Sequence, residues 1–355
     1  MRKNGKDRRD FLKFMAIAGS GVLMGGGVPL SGFASDKTKF VMAATGGSWG
    51  NTIKDIFIEK SGFQNKFNLD VSYEQNIDSV VVAKALANKK HPMFDVSSAA
   101  TFMAAKMNAG GILEPELDLD IVTNWKDIYP QAKIDKYFAG YITSNMVLVY
   151  NTDYVKKPTS FKDLWNSKYK GHVGFSNYKH VGSSFLHCIN KLYGGKEDNV
   201  MPGIEAFAEL MKKQKAIPFD NTDHGMKLFQ RKELWIAPFW DGRARQLQES
   251  GLPIDYAFVD YWMPLTMGFP VLKNSKVRKI AMEFVNYTLD PDLQAQFTMA
   301  MKFPPTNRKC KLPAKYEHWK VTDKQFELAA DLDYNKLVLE SDKNLELWNK
   351  HVLGS

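Results

Sequence analysis

The chain is 355 residues long, 44% hydrophobic and 13% aromatic, with a formal net charge of +9. That length and apolar content suffice for two lobes with cores of their own and exclude a disordered chain. The charge is less informative than its size: residues 1–34 hold six Lys/Arg against two Asp/Glu, which leaves about five positive charges spread over the rest, with no basic block that could track nucleic-acid phosphates.

The N-terminus reads as a leader. Arg8-Arg9 and Phe11-Leu12-Lys13 precede a soft apolar run from Phe14 to Val28, and Gly32-Phe33-Ala34 closes it as a small-x-small triplet. A basic start, an apolar stretch and a cleavable tail are the parts of a secretory signal. The paired arginines resemble a twin-arginine export signal, with Asp7 where Ser or Thr is preferred. Residues 1–34 are therefore expected to be a signal peptide handled by the twin-arginine machinery and cleaved near Ala34, leaving the mature protein in the periplasm. Gly19, Gly21, Gly25, Gly26, Gly27 and Pro29 dilute the run below what a spanning helix needs.

Beyond the leader the pattern alternates strand and helix. Lys39–Ala44 is a short buried-strand pattern, broken by Thr45-Gly46-Gly47-Ser48-Trp49-Gly50, and a helix is expected from Asn51. A strand at Leu69–Tyr73, a helix at Val80–Ala87, a strand at Met93–Ser97 and a helix at Thr101–Asn108, stopped by Gly110-Gly111, complete a layered α/β pattern. Tyr141–Tyr150 predicts one long strand with a polar step at Ser144-Asn145. Then come a helix N-capped by Ser160, a strand at His172–Phe175, helices from Gly182 and over Ile204–Lys213, the apolar run Trp235–Trp240, a helix over Asp241–Gln248 and a strand at Ile254–Val259. Met267–Leu272 predicts a strand, Val277–Leu289 and Asp292–Met299 helices, and Phe303–Asn307 a rigid crossing; Thr322–His351 predicts an amphipathic helical tail whose stripe includes Phe326, Leu328, Leu332, Leu337, Leu345 and Leu347.

Gly46–Gly50, Phe94-Asp95-Val96, Gly111–Pro115, Val149-Tyr150-Asn151-Thr152-Asp153, Pro158–Trp165 with Tyr169-Lys170-Gly171, Leu289–Gln294 and Pro305-Thr306-Asn307 form a set. Together they resemble bacterial extracellular solute-binding proteins of ABC importers, close to the spermidine/putrescine-type group. Their order over about Phe40 to Asn307 is specific for the family, not for a ligand. The resemblance implies a two-lobed α/β fold, the type II periplasmic-binding-protein clamshell. Lobe 1 is expected from 36–144 plus 266–303, lobe 2 from 145–265 plus 304–355. It also implies a protein that closes on a small solute and docks on a membrane ABC permease; a monomer is expected, no cofactor motif is visible, and the charge pattern gives no nucleic-acid partner.

In open α/β sheets ligands sit beyond the carboxyl ends of strands. That rule selects Gly47-Ser48-Trp49 after the first strand, read as a cleft loop or as a tight turn. It also selects Ser98, a cleft residue or a simple cap, and the polar pair Ser144-Asn145, bonded either to a ligand or to protein backbone. Gly182-Ser183 opens a helix that attracts anions or is merely capped. In Trp240-Asp241-Gly242-Arg243, Asp241 could take an ammonium under Trp240, Arg243 could clamp a carboxylate or phosphonate, or the two charges could simply pair. Asp260-Tyr261-Trp262 stands where the family often carries a different element, which leaves the ligand class open.

The aromatic-plus-acid set Trp49, Trp240, Asp241, Asp260, Tyr261 and Trp262 points to an amine-bearing, polyamine-like solute; the alternative is an anionic one. The seven histidines form no metal pair, and Tyr261-Trp262 offers one phenolate where iron-binding relatives use adjacent tyrosines. Cys188 and Cys310 give no CxxC or zinc spacing, and Cys188 reads as a small buried hydrophobe. Gly46-Gly47-Ser48-Trp49-Gly50 spells G-x-S-x-G, but no base and orienting acid are marked to go with it and no H-E-x-x-H occurs, so no enzyme is expected; a periplasmic hydrolase is the remote alternative, and a sensor-linked receptor a nearer one.

Overall fold

A computed structural model describes residues 37–76, 78–178 and 183–354. The expected leader and Gly182 lie outside the described residues. The remainder, Lys37–Ser355, clusters as one compact unit. Among the described residues no helix is long and apolar enough to cross a membrane.

The chain opens with β1 (Thr38–Ala44) and α1 (Gly47–Ile53), which runs on as a π-helix over Lys54–Lys60, then α2 (Phe63–Lys66), β2 (Leu69–Gln75) and α3 (Asp78–Ala87). Helix α1 starts four residues before the expected Asn51, because Gly47 adopts φ +69° and turns the chain at once. β3 (Val96–Ser97) and β4 (Ala99–Ala100) lead into α4 (Thr101–Ala109). β1 lies between β2 and β3, all parallel, and helices cover this sheet. Its core is aromatic: Phe40 meets Phe63 and Phe284 at 5.7 and 5.5 Å between ring centres.

β5 (Lys133–Ile134) precedes β6 (Phe138–Asn151), whose fourteen residues are all buried. β7 (Gly174–Ser176), α5 (Ser183–Leu192), α6 (Met201–Gln214), β8 (Ile217–Phe219), α7 (Thr222–Gln230), β9 (Ile236–Trp240), α8 (Asp241–Glu249), β10 (Ile254–Ala257) and β11 (Met263–Gly268) follow. The predicted strand at Met267–Leu272 thus falls earlier, and Val271 and Leu272 contribute only single bridges to Val96 and Leu113. β6 is the spine. Its first half pairs antiparallel with β11, from Gly140 against Gly268 to Met146 against Met263, and its second half lies between β9 and β10. A Cβ on Gly140 would stand 1.8 Å from Thr266 Cγ2, so only glycine permits this approach. β7 and β8 form a small parallel pair under Phe175, Phe185, Phe207 and the fully buried Trp348.

α9 (Arg278–Thr288) and α10 (Pro291–Met301) return to the β1 sheet, and Asp290 caps α10 through the amides of Asp292 and Leu293. The tail is not the single predicted helix but α11 (Asp323–Glu327), α12 (Tyr334–Leu339) and α13 (Ser341–Trp348). Thr322 with Gln325 caps its start, and a new cap, Asp333 accepting from the Lys336 amide, breaks it further on. Its apolar anchors are Phe326, Leu337 and Trp348, while Leu328 is exposed.

Beyond α10, Thr306 Oγ1 donates to the Gly140 carbonyl at 2.5 Å, and the Thr306 and Asn307 amides both donate to Gln294 Oε1 at 2.9 Å, which holds this stretch against α10. α13 packs on the β7–β8 side through Trp348 against Phe175 and Phe207. Cys188 and Cys310 are both buried and unpaired.

Candidate functional site

Two of the expected loops face the same space. β1 ends at Ala44 and leads through Thr45 to Trp49; β9 ends at Trp240 and leads to Arg243. Between these strand ends lies a cavity of about 470 Å³, lined by Thr45, Trp49, Ile142, Ser144, Thr222, Trp240, Arg243, Leu265, Met267 and Phe303. Its floor follows from register: Ser144 lies opposite Leu265 and Ile142 opposite Met267 on paired strands β6 and β11. Side chains two apart on a strand share a face. A larger recess of about 730 Å³ lies between residues 130–135 and the tail. It is not at a strand-to-helix turn of either sheet, so the smaller cavity is the better solute site.

One wall is aromatic. Trp49 meets Phe297 and Phe303 edge-on at 5.4 and 5.5 Å. Behind it, the half-buried Tyr73 phenol donates to the Thr45 carbonyl at 2.7 Å and is pushed up to about 12 by burial, so it stays a neutral brace. The other wall is Trp240 and Arg243. Arg243 Nη1 donates to Gln246 Oε1 at 2.8 Å, which holds the guanidinium against α8; the rest of its fork has no protein acceptor among the described residues. Arg243 is the one charged side chain lining this cavity among the described residues.

Asp241 does not line the cavity. It is fully buried, and its acceptor positions are occupied. Oδ1 accepts from the amides of Asn145 at 3.1 Å and Gly242 at 2.8 Å; Oδ2 accepts from Asn145 Nδ2 and Arg245 Nη2, both at 2.9 Å. A carboxylate has about four acceptor positions, so none remains for a solute ammonium. Asn145 is equally committed, since its Oδ1 accepts from Thr143 Oγ1 at 2.8 Å. Its expected ligand contact is replaced by a strut inside the crossing strand. The pair weighed from the sequence, Asp241 with Arg243, does not form; Asp241 pairs instead with Arg245. Arg245 remains charged: burial alone would lower its pKa, but Asp241 and Tyr256 outweigh it and raise it.

The remaining expected residues scatter. Gly47 and Ser48 are exposed beside Trp49. Ser98 is buried, its amide donating to the Ala43 carbonyl and its hydroxyl without a partner, and it does not line the cavity. Ser183 is partly exposed at the start of α5. Asp260 and Tyr261 form an exposed turn, with Tyr261 at φ 64° and its amide on the Leu328 carbonyl. Trp262 is core: fully buried, packed on Phe258 and Phe326, with Nε1 donating to the Gln325 carbonyl at 2.6 Å. Trp262→Phe is therefore expected to cost about 1–2 kcal/mol of stability in urea unfolding and to leave solute affinity unchanged. A loss of affinity at unchanged stability would return Trp262 to the site.

Sequence reasoning missed Thr45, Ile142, Thr222, Leu265, Met267 and Phe303. Ile142 was within reach as the residue two before Ser144; Leu265 and Met267 needed the strand register.

The sequence profile of the bacterial extracellular solute-binding proteins matches residues 59–323. The chain belongs to this family. A relative is the spermidine/putrescine-binding periplasmic protein of Escherichia coli K12, 24% identical over 273 residues, which are 73% of this chain and 76% of that one. Solved structures agree on the two-lobed α/β fold. An ABC transporter protein from Clostridium perfringens aligns with a TM-score of 0.79 at 18% identity, over 88% of this chain and 99% of that one. A GABA receptor aligns with a TM-score of 0.74 at 21% identity, over 89% and 98%. Among the described residues no group of His, Cys, Asp or Glu is placed to hold a metal ion.

Proposed function

We propose that this solute-binding protein is the capture component of an ABC importer, exported through a twin-arginine leader cleaved near Ala34 and working as a periplasmic monomer without catalysis. It takes up one small organic solute whose carboxylate, or comparable anionic group, sits on the Arg243 fork. The apolar body of the solute lies between Trp49, Phe303 and Trp240. Closure of the lobes then presents it to the permease. The observation that carries this reading is the charge of the lining: Arg243 faces the cavity, whereas Asp241 is consumed by Arg245 and Asn145.

This shifts the expected ligand from a simple polyamine to a solute with an anionic head. The amine reading keeps specific support. The relative named for spermidine and putrescine and the Trp49 and Trp240 faces, each able to take a cation for about 0.5–2 kcal/mol, favour it. A zwitterion such as γ-aminobutyrate would satisfy both demands.

Thermal-shift and tryptophan-fluorescence titrations with glutarate, γ-aminobutyrate and putrescine distinguish them, because a bound solute raises Tm by mass action. We expect glutarate or γ-aminobutyrate to bind, and Arg243→Gln to weaken that binding about 10- to 100-fold, the loss of a charge-assisted pair. Binding of putrescine alone, unaffected by Arg243→Gln, would overturn the anionic assignment. Trp240→Ala should weaken any bound solute about tenfold or more through lost stacking.

A further inference from the structure

Arg245 is 4% exposed and does not line the cavity, yet its guanidinium touches both of its sides. Nη2 donates to Asp241 Oδ2 at 2.9 Å, Nε to the Tyr256 phenol oxygen at 3.2 Å and Nη1 to the Lys302 carbonyl at 3.2 Å. Asp241 begins α8, directly after the wall residue Trp240, and Tyr256 is on β10 beside it. Lys302 belongs to the opposite side. It ends α10 in a left-handed conformation, φ 64°, and the next residue is Phe303, which stands edge-on to Trp49. The Lys302 ammonium also reaches back to Glu249 at the end of α8. Through Asp241 the same cluster holds Asn145, the midpoint of the crossing strand β6. One buried cation thus joins the three chain segments that set the distance between the cavity walls.

We infer that Arg245 is the positioning residue of the solute cavity: its bond to the Lys302 carbonyl fixes the Trp240–Arg243 wall relative to the Trp49–Phe303 wall. The inference rests on reading this cavity as the solute site, but not on the charge of the solute. The Asp241 and Tyr256 arms stay within one lobe; the Lys302 arm alone crosses. Arginine is required because its planar fork serves three acceptors at once, whereas lysine offers a single nitrogen.

Arg245→Lys keeps the charge against Asp241 and is expected to sever the crossing arm. Spin labels at Ser48→Cys and Asp223→Cys, exposed on the two sides, report the wall separation, and the buried Cys188 and Cys310 stay unlabelled. In the ligand-free protein we expect a narrow distance distribution that Arg245→Lys broadens and shifts to longer distance, and that Tyr256→Phe leaves unchanged. Affinity for whichever of glutarate, γ-aminobutyrate or putrescine binds should fall about tenfold in Arg245→Lys. A distribution identical to the parent, or equal broadening by Tyr256→Phe, overturns the inference. If Arg245→Lys does not fold, the charge-free double change Asp241→Asn with Arg245→Met takes its place under the same criteria, and failure of both to fold assigns the cluster to stability and overturns it too. Loss of the Arg243→Gln effect would overturn the anionic reading while leaving this result to stand or fall by the label distances.

Discussion

Asp241→Ala is expected to destabilise the protein by about 3–5 kcal/mol, the usual consequence of leaving one partner of a buried pair alone. Removal of this carboxylate strands the Arg245 guanidinium in a site 4% exposed and leaves the Asn145 amide, the Asn145 Nδ2 group and the Gly242 amide without their acceptor. A residue that anchored a solute would behave in the opposite way: binding lost, stability retained. Urea unfolding monitored by circular dichroism separates the two. The double change Asp241→Asn with Arg245→Met should recover part of the loss, because no unpaired charge is then buried. Asp260→Ala, on the exposed turn, should stay within about 0.5 kcal/mol of the parent. A stability loss below about 1 kcal/mol for Asp241→Ala, with solute affinity abolished, would restore Asp241 to the binding site.

The second large effect is acid sensitivity set by His187. This side chain is 4% exposed on α5, and its Nδ1 has no hydrogen-bond partner. Burial pushes its pKa down to about 4 from 6.5, with Glu197 pulling it up and Lys191 pulling it down. The folded state therefore holds the ring neutral while the unfolded chain takes a proton below pH 6.5. Stability is full above pH 6.5, falls as pH drops towards 4 and then levels, for a total of up to about 3 kcal/mol at 1.36 kcal/mol per unit. Glu197, Glu317 and Asp333, held low by Lys191, Lys320 and Lys336, act in the same direction but at lower pH, below the ordinary carboxylate values. The difference between the parent and His187→Leu across pH 4.5–6.5 isolates the histidine. Unfolding free energies that keep the same slope in both proteins would show that His187 is not the acid-sensitive group.

The alternation that produced β1, β2 and the helices between them was legible because a half-buried strand and an amphipathic helix write their periods locally. The long crossing strand was legible too, as an apolar run with one polar step. What that polar step does was not. Asn145 reads equally well as a ligand contact or as a strut, and the choice depends on Asp241, 96 residues away. In the segment Trp240–Arg243 the sequence left three roles open for its two charges: an ammonium on Asp241, a carboxylate on Arg243, or a pair between them. A helix turns about 100° per residue, so Asp241 and Arg243 point about 200° apart, whereas Asp241 and Arg245 share a face. The helix period holds that fact; the decision as to which face meets the cavity comes from packing. The tail misled for a similar reason: its apolar stripe was real, but the internal cap at Asp333 starts a new short helix within it.

By itself, then, the sequence determined the α/β class, the family and the two strand-end loops that carry Trp49 and Trp240, since each is written in contiguous residues. Tertiary structure alone decided the floor of the cavity, through the register of β6 on β11, and the sign of its charge, through the pairing of Asp241 with Arg245. Both depend on which distant groups meet in a buried space, where a carboxylate with all its acceptors occupied has none left to offer a solute.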